Sequence, residues 1–339
     1  MTAGRIDREP SERSTVPDLT QYDVGFLLGL YRRMVLIRRF EERVKYLFLE
    51  GIMPGTIHQC HGQEACAVGV CAALRADDVI TSTHRPHGHA LAKGVPVDAA
   101  MAELFGRVTG CCKGKGGSMH MGDLSRGMIP AIAIVGGGVP VATGAALAFK
   151  LRREPRVAVC FMGDGAANEG AFHEGVNMGA IWELPVVYVI ENNLYGASTP
   201  TRMVFRTKTI SERAAGYGIE GVRTDGNDVV EAYEATRRLV DKARSGGGAS
   251  LLELMTYRIT GHSRRDPALY QPEDEKARAR DNEPIGRFAL RLQEARLSDA
   301  ATLETMDAEV DAEIEQAVRA AMAAPEPRAE DALNDVFVE

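Results

Sequence analysis

The sequence predicts an α/β fold: a parallel sheet covered by helices on both faces. Three observations carry that expectation. Residues 156–162, 185–191 and 250–257 are short apolar runs of the kind that strands buried on both sides require. Helical segments at 170–182 and 228–244 lie between successive runs, so strand and helix alternate as in a crossover-connected parallel sheet. The composition, 45% apolar and 26% charged over 339 residues, is that of a globular chain with enough material for a large core.

Taken in order, residues 1–19 read as a flexible polar tail. Arg5, Asp7, Arg8, Glu9, Glu12 and Arg13 interrupt any apolar stretch, which fits neither a secretory signal nor an acid-poor transit peptide, and a cytoplasmic location is expected. Residues 20–50 form a long amphipathic helix, with Thr20 and Asp23 as a capping pair, Gly51 as the stop, and Leu27, Leu28, Tyr31, Met34, Val35 and Ile37 as the apolar stripe. A second helix is expected over 62–74, a short strand around Val79 and Ile80, and a histidine-rich turn over 84–89. Residues 98–106, just after Pro96, are helical and lead into a glycine-rich stretch, 110–117. The longest uncharged run, 127–149, could cross a bilayer by length, but its two prolines and five glycines mark a loop feeding a buried helix. The segment 228–244 is opened by Asn227 or Asp228 and closed by Gly246. Residues 261–281 are aperiodic and charged, an exposed loop of the length that often serves function. A helix over 301–323 completes the chain. The domain expectation is one cofactor-binding α/β domain over 20–300 and a helical extension over 301–339.

Charge and cysteine content exclude several functions. Forty basic against forty-seven acidic residues give a net charge of -7, which disfavours a broad nucleic-acid face. Six cysteines (Cys60, Cys66, Cys71, Cys111, Cys112, Cys160) contain no CxxC pair, so neither a disulfide framework nor a zinc site is expected.

The chemistry concentrates at two strand ends. Gly163-Asp164-Gly165 follows the first central strand, and Asn192-Asn193 follows the second after 26 intervening residues. Each motif alone is a common turn or strand end. Joined by one right-handed βαβ crossover, they emerge together at the carboxyl edge of a parallel sheet, where such sheets bind ligands. A carboxylate and an amide oxygen are hard ligands suited to Mg²⁺, and glycines beside Asp164 let backbone approach an anion at the following helix N-terminus. A dinucleotide fingerprint needs a third small residue, but Asn168 and Val141 occupy the two candidate positions. Lys113-Gly114-Lys115-Gly116-Gly117-Ser118 lacks the spacing of a nucleotide-triphosphate loop.

Segments 163–170 (GDGAANEG), 191–196 (ENNLYG), 113–119 (KGKGGSM) and 256–263 (TYRITGHS) together resemble the alpha subunit of thiamine diphosphate-dependent 2-oxo acid dehydrogenases and of acetoin dehydrogenase, over about residues 18–293. The resemblance implies that Asp164, the Asn193 side chain and the Tyr195 main-chain oxygen hold Mg²⁺. It implies that the Gly165 and Ala166 amides, with Arg85, Arg258 and His262, surround the diphosphate of thiamine diphosphate. The backbone at Ala133 and Val135 would meet the aminopyrimidine. His58 matches a histidine of the substrate channel, and His84, His87 and His262 become candidates for proton transfer and for donation to a substrate oxygen. Thiamine chemistry also needs a carboxylic acid against the pyrimidine ring. Glu64 is the one candidate here, with a helix-surface glutamate as its plain alternative, and in the family that acid comes from the beta subunit. The implied partners are therefore a beta subunit, in a heterotetramer of two alpha and two beta chains, and a lipoyl-bearing acyltransferase. No nucleic acid or membrane is expected.

Departures from the mitochondrial pyruvate enzymes leave the substrate open among pyruvate, branched-chain 2-oxo acids and acetoin. His84 stands where those enzymes have Tyr before the diphosphate Arg, and His84-Arg85-Pro86-His87-Gly88-His89 is closer to acetoin-type sequences. Ala133 replaces a usual Gly, and Ser263 matches a position phosphorylated in mitochondria. An NAD-linked dehydrogenase and a catalytically silent cofactor-binding subunit stand as alternatives.

Overall fold

The computed structural model describes residues 17–335 and residue 337, so most of the expected tail lies outside the described residues. Five parallel strands, β1 (Val79–Thr81), β2 (Ala158–Gly163), β3 (Val186–Asn192), β6 (Glu220–Asp225) and β7 (Ser250–Met255), form one sheet in the order β1-β2-β3-β7-β6. A two-stranded hairpin, β4 (Tyr195–Gly196) with β5 (Thr199–Pro200), follows β3. The β2–β3 register runs from Ala158 opposite Val186 to Gly163 opposite Glu191, which sets the two expected motifs side by side.

Strand side chains alternate between two apolar layers, which is why the strands read as continuous apolar runs. Val159, Phe161, Val187, Val189, Leu252 and Leu254 face α1 (Val24–Leu49), α2 (Glu64–Ala72) and α7 (Val229–Arg244). Ala158, Cys160, Met162, Tyr188, Ile190 and Leu251 face α5 (Gly138–Arg152) and α6 (Gly170–Ile181). The helices α3 (Pro86–Lys93), α4 (Val97–Leu104), α9 (Pro284–Glu294) and α10 (Ala300–Ala323) add to the first layer, while α8 (Glu273–Asp281) buries Ala279 in a separate small cluster with Tyr195 and Tyr257. The expected C-terminal extension packs α10 on α1 and α4 through Leu303, Val310, Ile314 and Val318. At about 1.5–3 kcal/mol for each such buried side chain, α10 is an integral part of the main core.

Four local expectations are corrected. Asp23, not Thr20, caps α1, accepting from the Phe26 amide at 2.9 Å, while Thr20 sits in a separate 3₁₀ turn capped by Asp18. The histidine-rich turn is helical from Pro86 onward, because proline's fixed φ suits the first turn of α3. The charged loop 261–281 ends in α8, whose first turn holds Glu273, Asp274 and Glu275 and whose last holds Arg278 and Arg280, matching the helix dipole. Strand β6 was not foreseen: it is a half-exposed edge strand with little apolar content.

The glycine-rich stretch 110–117 wraps an anion, and that anion belongs to the protein. Glu103, fully buried at the end of α4, accepts the amides of Gly116 and Gly117 on Oε1 at 2.8 and 2.9 Å, and those of Cys112 and Gly114 on Oε2 at 2.8 and 2.9 Å. Cys111 and Cys112 lie close enough to Glu103 to suggest a metal site. Four N–H donors pointed at its carboxylate oppose a cation there. All six cysteines are unpaired, and among the described residues no helix is long and apolar enough to cross a membrane.

Candidate active site

A cavity of about 310 Å³ opens at the carboxyl edge of β2 and β3. Asp164, Gly165, Ala166, Asn193 and Tyr195 line it, together with Val135, His84, Arg85, Arg258 and His262. The structure thus brings together nearly all the residues expected from separate segments.

Asp164 is the strongest feature. Its side chain is buried, with Oδ1 accepting the Gly165 amide at 2.6 Å and Oδ2 the Thr201 hydroxyl at 3.1 Å. Burial pushes its carboxyl pKa up, and those two hydrogen bonds with the charge of Arg258 offset the effect only partly. A buried carboxylate held in this way fits a cation partner. Asn193 and Tyr195 adjoin it: the Tyr195 amide donates to Asn193 Oδ1 at 3.2 Å, and the Tyr195 carbonyl accepts from Arg258 Nη1 at 3.3 Å. A Cβ on Gly165 or on Gly196 would come within 3.2 Å of the other residue's Cα, so the two loops meet backbone to backbone beside the carboxylate.

The two arginines are committed to protein groups. Arg85 Nη1 donates to the Gln59 carbonyl at 2.8 Å and Nη2 to the His262 carbonyl at 2.6 Å, and burial with the nearby Arg258 lowers its pKa to about 9. Arg258 Nη2 donates to the Ala197 carbonyl and the Tyr270 hydroxyl, both at 2.8 Å, and so ties the hairpin to the segment before α8.

His58, His84 and His262 form a triangle with ring centroids 5.0, 5.3 and 5.4 Å apart. Burial, then the charge of Arg85, pushes their pKa values down to about 4, about 2 and about 4 respectively, so all three are neutral at pH 7. His58 Nδ1 and His84 Nε2 are buried without a hydrogen-bond partner; His84 lines the cavity, whereas His58 packs against His84 and His262 without lining the cavity itself.

His87, Ala133 and Glu64 fall elsewhere. His87 is fully buried on α3, with Nδ1 3.1 Å from Glu41 and Nε2 3.0 Å from Ser118, and it does not line the cavity. Ala133 precedes the lining residues Ile134 and Val135 without lining the cavity itself. Glu64 is not a surface glutamate: it is fully buried, accepting from Arg38 Nε at 2.6 Å and from the Gly62 amide at 3.0 Å, which leaves it a clamp for the start of α2. Several polar residues were missed, Ser82, Thr83 and Glu169 among the cavity lining. Gln63 and Glu191 line the cavity, and His89 stacks on Phe161 at 3.8 Å with Nε2 3.2 Å from Glu191. Glu191 directly precedes Asn192, so its proximity was readable, but nothing in the sequence joins it to His89.

A parallel sheet that presents a buried carboxylate, an amide and neutral imidazoles around one cavity has the architecture of an α/β enzyme. The chain belongs to the dehydrogenase E1 component family, whose sequence model matches residues 32–330. It is 46% identical over 312 residues to the alpha subunit of acetoin:2,6-dichlorophenolindophenol oxidoreductase of Bacillus subtilis, covering 92% of this chain and 93% of that one. The corresponding subunit of Cupriavidus necator is 45% identical over 93% of this chain and 95% of its own length. The pyruvate dehydrogenase E1 component subunit alpha of Rhizobium meliloti is 37% identical over 99% and 96%. Membership makes the chain an oxidoreductase component and implies thiamine diphosphate as its cofactor. The NAD-linked alternative is set aside by this match.

Proposed function

We propose that this chain is the alpha subunit of a dehydrogenase that cleaves acetoin or a 2-oxo acid and passes the acyl group to a lipoyl-bearing partner. The observation that carries the reading is the buried Asp164 beside Asn193 and the Tyr195 carbonyl at adjacent strand ends. These three groups would hold Mg²⁺, with water and phosphate oxygens supplying the other positions. Gly165 and Ala166 would offer backbone amides to the diphosphate, and the chain at Ala133 and Val135 would meet the aminopyrimidine. When bound, thiamine diphosphate supplies an electron sink for breaking a bond beside a carbonyl. A neutral imidazole such as those of His58, His84 and His262 offers a substrate oxygen an N–H hydrogen-bond donor and has a bare nitrogen that can accept a proton. His87 is retained as a support for Ser118.

With both oxygens of Glu64 occupied, the activating carboxylic acid falls to a beta subunit, in an assembly of two alpha and two beta chains. Acetoin is favoured over a 2-oxo acid by two points. The relatives at 46% and 45% identity carry acetoin names, and the imidazoles beside the cavity are uncharged while both arginines are engaged with protein groups, which suits a neutral substrate. The setting is taken to be the cytoplasm, in keeping with six unpaired cysteines.

The test is calorimetric titration of thiamine diphosphate with Mg²⁺, and turnover on acetoin and pyruvate, with and without a co-expressed beta subunit. Turnover should need both chains. Asp164→Asn should abolish Mg²⁺-dependent cofactor binding and leave the circular dichroism spectrum unchanged. Full turnover by this chain alone, or unchanged binding by the variant, would overturn the proposal.

A further inference from the structure

Of the residues around the cation site, one has no role in the proposed chemistry and yet touches a ligand directly. Asn193 Nδ2 donates to Gln63 Oε1 at 2.9 Å, and both residues are buried, Gln63 with 3% of its surface exposed. An asparagine amide has two ends of nearly equal shape and opposite chemistry: the oxygen can coordinate a cation, while the NH₂ end, turned inward, would repel it. The neighbour that accepts from the NH₂ end therefore decides which end faces the cation.

We infer that Gln63 is a positioning residue that fixes the Asn193 amide with its oxygen toward the cation site. This rests on the Mg²⁺ reading of Asp164 and Asn193. The Tyr195 amide, donating to Asn193 Oδ1 at 3.2 Å, sets the same orientation from the other side. Gln63 suits this task because its own backbone is fixed. Gly62 before it adopts φ +91°, with space so restricted that a Cβ would lie 2.3 Å from the Tyr257 carbonyl oxygen. The Gly62 amide is held by Glu64, which Arg38 holds in turn, and the Gly62 carbonyl accepts from the Thr256 hydroxyl at 2.9 Å. The Arg38–Glu64 clamp at the start of α2 thus reaches the cation site through one side chain, 130 residues away in sequence from the ligand it orients.

The experiment measures Mn²⁺ affinity, by the electron paramagnetic resonance signal of free Mn²⁺ at saturating thiamine diphosphate, in this chain co-expressed with its beta subunit. Gln63→Leu removes the acceptor and should weaken Mn²⁺ binding about 10- to 100-fold, the usual effect of losing a residue that orients a metal ligand. Gln63→Glu keeps an acceptor oxygen and should restore affinity to within a few-fold of wild type. Asn193→Asp presents oxygen at both ends, so in that background Gln63→Leu should change Mn²⁺ affinity little. Wild-type affinity in Gln63→Leu, an equal loss in both backgrounds, or no restoration by Gln63→Glu would overturn the inference. A wild-type complex that binds thiamine diphosphate without Mn²⁺ would instead overturn the cation reading of Asp164.

Discussion

Glu103→Gln is the most severe test of the packing around the glycine-rich loop. The carboxylate accepts four backbone amides, two on each oxygen, at 2.8–2.9 Å and out of contact with solvent. A glutamine keeps one oxygen and turns an NH₂ group on the other pair of amides, so two hydrogen bonds are lost and two donors face a donor. Hydrogen bonds to a charged group contribute about 1.5–3 kcal/mol each, which places the loss at about 3–6 kcal/mol. The glycines of the loop are half-buried, so water can reach part of the freed backbone and the lower end, about 3 kcal/mol, is expected. Hydrogen exchange should report it directly: at least two of the amides of Cys112, Gly114, Gly116 and Gly117 lose protection, and the urea midpoint falls. Glu103→Ala should deprotect all four. Unchanged exchange and an unchanged midpoint in Glu103→Gln would refute the claim that this buried anion organises the loop.

Two further outcomes follow from the same structure. Gly62→Ala puts a Cβ at φ +91° and against the Tyr257 carbonyl, and should cost at least about 2 kcal/mol in urea unfolding, whereas the open position at Gly144 should accept alanine without loss. The imidazoles of His58, His84 and His262 protonate at about 4, about 2 and about 4 when folded, against an ordinary value of 6.5. Below pH 6.5 the unfolded chain therefore binds more protons than the folded one, so their effect is absent above that pH and stability declines as pH falls from 6.5 toward 4. His84→Gln should flatten the urea midpoint over that window, and an identical slope would refute the assignment.

The carboxylates around the cavity differ in how far the protein already engages them. Among the described residues, the buried carboxylates nearest the cavity are already committed: Asp164 to Gly165 and Thr201, Glu191 to His89, and Glu64 to Arg38 and Gly62. Glu169, the other carboxylate lining the cavity, is exposed.

Much of the fold and site was legible because it is local or periodic. Apolar runs with helices between them gave the parallel sheet, and the glycine, aspartate and asparagine positions at strand ends gave part of the cavity lining. Edge strand β6 was missed because a half-exposed strand of six residues has no continuous apolar run. Helix α3 was missed because histidines carry little periodic signal, and only Pro86 at its first position marks it.

The sequence by itself determined the central strands β2, β3 and β7 with the helices α6 and α7 between them, the pair of motifs that must meet at one sheet edge, and the family. Tertiary structure alone decided the rest: which histidines are neutral, that His87 turns away toward Glu41, that the glycine-rich loop encloses Glu103, and that Gln63 holds Asn193. The physical reason is burial. A side chain's charge state and hydrogen-bond partner depend on groups brought within a few ångströms by the fold, as Arg85 and His262 are from 177 residues apart in the chain.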